Sequence, residues 1–249
     1  MPLHETLHEH VLTLEISHPE RRNTLDAAML EALAGAFGRA SQDPDVRAVL
    51  VHAQPGIFSA GSDIAQEMDA GSGYEEKGRE LVQAIAACSR PVVACVEGPA
   101  VGLAVTMLYY CDLVYASPQA LFSLPATALG LVPGLGATYL ALSQAGYHKA
   151  AEKILLSEPI TAEEALAMRL VSGLFPNEEV RAQAQARAER LARLSPAAVQ
   201  AAKALLRAAL EAPLSTSRAL EEEALRTLRA SPEAREACSA FLEGRKPRF

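Results

Sequence analysis

Two glycine-bearing turns constrain this chain more than anything else in it. One reads Phe58-Ser59-Ala60-Gly61-Ser62-Asp63-Ile64 and the other Glu97-Gly98-Pro99-Ala100-Val101-Gly102-Leu103-Ala104. Each follows an apolar strand-like run and leads into a helix-like run. A chain that repeats this step builds an α/β core, because parallel strands need crossovers to return to the sheet. At such a turn the first N–H groups of the helix lack partners within it, so the turn can hold a negative oxygen. Two together suggest a site that stabilises an oxyanion. Neither is accompanied by an obvious acid or base.

The pattern around the turns agrees with that class. Residues 11–16 (Val-Leu-Thr-Leu-Glu-Ile) mix apolar and polar side chains as a strand does. Residues 26–40 predict a helix with Met29, Leu30, Leu33 and Phe37 on one face. Residues 46–51 predict a strand, and 74–88 a helix with Leu81, Ile85 and Cys88 on one side. Residues 91–96 (Pro-Val-Val-Ala-Cys-Val) are continuously apolar, as in a strand covered on both faces. Residues 113–116 predict another. From about residue 145 the chain reads as helices: Thr161 with Glu164 makes a capping box, and Ser195-Pro196 and Ser231-Pro232 are helix starts. Residues 181–194 and 197–210 are rich in Ala, Leu and Arg and predict two helices.

Composition narrows the function classes. The chain has 249 residues, half of them hydrophobic, enough for one large domain or a domain with a small extension. A net charge of −7 argues against a nucleic-acid surface. It leaves room for a small anionic ligand met by local bases. No apolar run reaches the roughly 18–20 residues of a membrane span, and Met1-Pro2-Leu3-His4-Glu5 does not start like a signal peptide. A cytoplasmic protein is expected, with no membrane partner. Cys88, Cys95, Cys111 and Cys238 form no CxxC pair, so buried free thiols are expected rather than zinc. His4, His8 and His10 lack acidic or Cys partners, and no metal site is expected.

The two turns, their order and the following Cys111-Asp112-Leu113-Val114-Tyr115-Ala116-Ser117 resemble the crotonase superfamily of enoyl-CoA hydratases and isomerases. Three further segments carry the resemblance: His18-Pro19-Glu20-Arg21-Arg22-Asn23-Thr24-Leu25, Leu129-Gly130-Leu131-Val132-Pro133-Gly134-Leu135-Gly136, and the tail Phe241-Leu242-Glu243-Gly244-Arg245-Lys246-Pro247-Arg248-Phe249. The framework around Gly98 to Thr106 looks most like the enoyl-CoA isomerase branch. The resemblance implies a spiral of ββα units over residues 1–194 and a helical oligomerisation segment over 195–249. It implies a homotrimer, or trimers paired into a hexamer. Its ligand is an acyl-coenzyme A thioester, so coenzyme A belongs to the substrate and no separate cofactor is expected. The thioester oxygen would lie between the N–H groups of Ser62, after Gly61, and Leu103, after Gly102. Backbone groups around Ala60, Ser62 and Ile64 would meet the adenine end, with Asp63 among the substrate-binding residues. Arg21, Arg22, Arg245 and Lys246 are candidates for the phosphates, and Phe241 for the acyl or adenine region.

The chain departs from that family where its hydratases carry two glutamates. By position these places hold Thr106 and Ala126, which leaves both residues as pocket walls and neither as an acid or base. Many isomerases keep one carboxylate at the place held here by Gly134. Glu67, Asp69, Glu75 and Glu76 follow the first turn, over the acyl pocket of relatives. A carboxylate raised in pKa by an apolar pocket could act there as a base. Three readings stay open: an enolate-handling hydratase or isomerase, a non-catalytic acyl-CoA-binding protein, and another crotonase chemistry such as thioester hydrolysis or decarboxylation.

Overall fold

The computed structural model describes residues 3–54, 56–69 and 71–249. Met1 and Pro2, part of the stretch on which the expected absence of a signal peptide rests, lie outside them. In chain order the elements are β1 (Leu3–His8), β2 (Val11–Ile16), α1 (Ala27–Gln42), β3 (Ala48–Ala53), α2 (Ile64–Met68) and α3 (Tyr74–Ala87). There follow β4 (Val92–Val96), β5 (Ala100–Val101), α4 (Leu103–Tyr109), β6 (Leu113–Ala116), β7 (Leu121–Ser123) and α5 (Ala137–Ala145). The last third holds α6 (Tyr147–Leu155), β8 (Ile160–Thr161), α7 (Ala162–Ala167), β9 (Gly173–Leu174), α8 (Val180–Arg193), α9 (Pro196–Arg229) and α10 (Pro232–Leu242).

Six strands form one sheet in the order β1-β2-β3-β4-β6-β9. Only the β1–β2 hairpin is antiparallel; the other pairs in that sheet are parallel. β3 and β4 are buried along their whole length. Their side chains alternate between two apolar layers. Val49, Val51, Val92, Ala94 and Val96 face the main core with α1 and α3. Ala48, Leu50, Val93 and Cys95 face α8, which offers Val180, Ala184, Ala188 and Ala192 at four-residue steps. Helices on both faces explain why residues 91–96 carry no polar position.

A second, three-stranded sheet runs β5-β7-β8. β4 is followed by β5 and α4, and β6 by β7 and then α5. After β3 the same place is filled by isolated bridges, Ser59 to Ala100 and Leu25 to Ser62. The repeat is thus a long strand, a short strand in the second layer, and a helix: the expected ββα spiral. The short layer brings the two glycine turns side by side.

Most boundaries follow the sequence pattern, and two differ clearly. The strand expected at 46–51 starts at Ala48 and runs to Ala53. Thr161 and Glu164 do form the capping box, and the Ser231 hydroxyl accepts from the Ala234 N–H at 3.1 Å. Ser195 starts α9 without a side-chain cap. The helix expected at 197–210 does not stop there. It runs through Pro213 to Arg229, 34 residues in all. Asp112, at the edge of β6, ties α9 to the core: its Oδ2 lies 2.7 Å from Lys203 Nζ and its Oδ1 3.2 Å from Arg207. No helix is long and apolar enough to cross a membrane, among the described residues.

Candidate active site

The two turns are stitched edge to edge by backbone hydrogen bonds. Phe58 N and Ser59 N donate to Pro99 O at 2.9 and 3.1 Å, and Val101 N donates back to Ser59 O at 3.0 Å. Gly102 N donates to Ser123 O in β7 at 2.8 Å, and Leu25 N to Gly61 O at 2.8 Å. Gly61 has φ +83°, and a β-carbon there would lie 2.3 Å from Val101 O and 3.6 Å from Gly102 N. Only glycine fits that approach. Gly102 has open space around it but sits at φ 55° and ψ −116°, a conformation closed to L side chains.

This locking leaves two donors unspent. Leu103 N–H is the first donor of α4, and Ser62 N–H follows the bridged Gly61. Among the described residues nothing accepts a hydrogen bond from either. Both residues line a cavity of about 590 Å³. Ala60, Asp63, Ile64, Gly102, Thr106, Ala126, Gly134, Arg21, Arg22, Arg245 and Phe241 line it too, whereas Gly61 and the phosphate candidate Lys246 do not. Gly61 lies behind the wall, packed on Val101.

The roles of several wall residues follow from their bonds. Asp63 Oδ1 caps α2 by accepting from Ala65 N and Gln66 N, and its Oδ2 takes Arg21 at 2.6 Å. Arg21 also pairs with Asp26. Arg245 pairs with Glu236 and Glu243. Arg22 lines the cavity and makes no ion pair among the described residues. Phe241 is exposed. The Thr106 hydroxyl points back to Gly102 O at 3.4 Å. A β-carbon at Gly134 would lie 2.8 Å from Leu225 Cδ1, so a side chain at 134 would require Leu225 of α9 to shift.

Three carboxylates line the cavity: Asp63, Glu67 and Glu75. Glu75 bonds Arg229 and lies 3.7 Å from Arg79. Glu67 Oε1 stands 3.8 Å from Arg229, beyond hydrogen-bond range. Burial pushes the Glu67 carboxyl up; the Ser62 hydroxyl and the Arg229 guanidinium oppose that push, and Glu75 adds to it. The Tyr74 hydroxyl donates to Leu25 O at 2.6 Å, and burial raises its pKa well beyond the phenol range. Asp69 and Glu76 do not line the cavity. All four cysteines are free, and burial pushes the Cys95 and Cys111 thiols up to about 12. Neither offers a thiolate at neutral pH.

The sequence reading missed Leu225 and Arg229, both of which α9 contributes to the wall. The signal was present. Lys203, Arg207, Leu214, Arg218, Glu221, Leu225 and Arg229 recur at steps of a helical turn. They include ions as well as hydrophobes, so a search for apolar periodicity passes over them.

The chain is similar to known proteins along nearly its whole length. The family model described as Enoyl-CoA hydratase/isomerase matches residues 6–249. The 2,3-dehydroadipyl-CoA hydratase of Escherichia coli (strain K12) is 33% identical over 243 residues, 97% of this chain and 95% of that protein. Enoyl-CoA delta isomerase 2 of Rattus norvegicus is 33% identical over 248 residues, 96% of this chain and 62% of that protein. The crystal structure of an enoyl-CoA hydratase/isomerase from Pseudoalteromonas atlantica T6c superposes with a TM-score of 0.94 at 33% identity, covering 100% of both chains. Two locked glycine turns facing one pocket and a match along nearly the whole chain place this protein in the enoyl-CoA hydratase/isomerase family, the crotonase superfamily, as an enzyme of the hydratase/isomerase type.

Proposed function

We propose that the chain binds an acyl-CoA thioester in the cavity and holds its enolate oxygen between the Ser62 and Leu103 N–H groups. One observation carries this reading: two unpartnered backbone donors, on turns locked to each other, open onto one pocket. Removing a proton beside a thioester carbonyl moves charge onto its oxygen. Fixed donors stabilise that charge more than the neutral carbonyl, which lowers the barrier rather than merely tightening binding. A backbone donor does not depend on its side chain, so Leu103 serves as a donor while narrowing the pocket.

Hydration by a pair of glutamates does not fit these walls. Thr106 and Ala126, at the places of those glutamates, supply neither acid nor base. The reaction class that fits is proton transfer through an enolate, as in moving a carbon–carbon double bond along the acyl chain. Arg22, which makes no ion pair among the described residues, is the basic residue best placed for a coenzyme A phosphate, ahead of Arg21 and Arg245. Ala60, Ser62 and Ile64 would meet the adenine end, and Phe241 would cover it. No cofactor beyond the substrate's own coenzyme A is required.

Residues 195–249 form the second unit of this reading. Leu205, Leu206 and Leu220 of α9 are exposed by 74%, 73% and 67%. Such a stripe fits burial against copies of this chain, in a homotrimer or a hexamer, in the cytoplasm.

The test is a panel of 2-enoyl- and 3-enoyl-CoA esters, with products resolved by mass spectrometry. The expected result is saturable binding and conversion of 3-enoyl to 2-enoyl esters without gain of water. Absence of binding across the panel contradicts the reading, and a hydrated product contradicts its reaction class.

A further inference from the structure

A chain with a place for the enolate oxygen and no glutamate at the family's positions still needs a group to move the proton. Resting on the acyl-CoA reading above, we infer that Glu67 is that group, a single carboxylate that takes the proton from one carbon and returns it to another.

The cavity itself selects Glu67. Among its lining residues the ionisable candidates of suitable basicity are Asp63, Glu67 and Glu75, since it holds no His, Lys or Cys. Asp63 is spent: one oxygen caps α2 and the other bonds Arg21. Glu75 is spent on the Arg229 and Arg79 guanidiniums, and its side chain is 41% exposed. Glu67 accepts no hydrogen bond from either arginine, and its side chain is 20% exposed. It stands one short helix from Ser62, whose hydroxyl faces the carboxyl. The first oxyanion donor and the carboxyl therefore stand at opposite ends of one short segment, the glycine turn and α2.

The charged and titratable groups facing Glu67 come from every side. Ser62 lies on its own turn, Tyr74 and Glu75 on α3, Arg229 on α9 and Cys238 on α10. Burial dominates their sum and favours the neutral acid. A carboxyl held above its ordinary range is a stronger base than a free carboxylate, as a group that takes a proton from carbon requires.

The step balances with this one group. The Glu67 carboxylate takes a proton from C2 of a 3-enoyl-CoA. The C–H electron pair forms a C1–C2 double bond, and the carbonyl pair moves onto the oxygen held by Ser62 and Leu103. The carbonyl then re-forms, the C1–C2 pair moves to C2–C3, and the C3–C4 pair takes the same proton at C4. The product is the 2-enoyl-CoA, and Glu67 is again a carboxylate. No water, metal or redox partner is consumed.

The experiment compares the wild type, Glu67→Gln and Glu67→Asp. It follows isomerisation of a 3-enoyl-CoA and exchange of its C2 protons with deuterium from solvent. Thioester affinity and melting temperature are measured alongside. Glu67→Gln should lose about 10²–10⁴-fold in both rates while keeping affinity within a few-fold, the usual span for loss of a general base. Glu67→Asp should keep part of the rate. In the wild type kcat/KM should rise with pH through a pKa above the usual carboxylate range; in Glu67→Gln the residual rate should be flat. If Glu67→Gln melts early, Glu67→Asp carries the comparison, with a fall in kcat at unchanged KM expected. A Glu67→Gln rate within about tenfold of wild type overturns the assignment. So does a wild type that binds the thioester but neither isomerises it nor exchanges its C2 protons, and the binding reading survives that result. A wild type that binds no thioester removes both.

Discussion

Replacing Gly61 by valine should lower kcat/KM by about 10²–10³-fold, the cost of misplacing one oxyanion donor. The reason is local and steric. A β-carbon at 61 would lie 2.3 Å from Val101 O, a backbone atom that cannot swing aside. The residue is also at φ +83°, where a branched side chain is strained. The two turns must part, and with them the Ser62 and Leu103 N–H groups. Gly102→Ala separates space from conformation, because a β-carbon there meets nothing within 4 Å and only the backbone angles object. It should cost less stability than Gly61→Val and still displace the Leu103 donor. Steady-state kinetics with thermal melts check both. A Gly61→Val enzyme within tenfold of wild type, on the same scale of donor loss, would remove the hole from the account.

The largest stability effect should come from Glu221→Ala. Glu221 is a buried carboxylate on α9, 5% exposed, and it closes the open start of α5. It accepts from Gly136 N at 2.5 Å, from Thr138 N at 2.9 Å and from the Thr138 hydroxyl. The negative charge at a helix N-terminus is favourable, and the two N–H groups would otherwise be buried without partners. Leaving them so costs about 1–3 kcal/mol each, so a total near ~3 kcal/mol is expected. For a chain of this size that is a fall of roughly 6–12 °C in melting temperature. Glu221→Gln keeps one acceptor and should lose about half as much. Calorimetry on the three proteins decides it, and an unchanged melt for Glu221→Ala would show that the 134–138 loop does not depend on α9. The same loop carries Gly134 and Leu135 into the cavity wall. Turnover should therefore fall with Glu221→Ala below the new melt as well.

What could be read from the sequence divides along physical lines. The turns at Gly61 and Gly102 were legible because glycine is demanded there by a backbone contact and by backbone angles, both local facts. The strands at 91–96 and 113–116 were legible because continuous apolar runs have few other uses. The reach of α9 was not. Its inward stripe carries Lys203, Arg207, Glu221 and Arg229, each bonded to an acceptor or donor far away in sequence. Pro213 inside it reads as a stop, yet the helix continues past it with Leu214 buried on the core side. Singling out Glu67 from its neighbours needed the third dimension too. Glu67, Asp69, Glu75 and Glu76 read alike in sequence. Only the fold spends Glu75 on two arginines, turns Asp69 and Glu76 away from the cavity, and leaves Glu67 against it.

The central claim is that one carbonyl oxygen sits between Ser62 N–H and Leu103 N–H. A crystal structure of the protein with an unreactive acyl-CoA thioester analogue tests it most directly. The account predicts the carbonyl oxygen within about 2.7–3.1 Å of both nitrogens, with the acyl chain running toward Thr106 and Leu225. A thioester seated in the cavity with its oxygen bonded to neither nitrogen, or to a side chain instead, would contradict it.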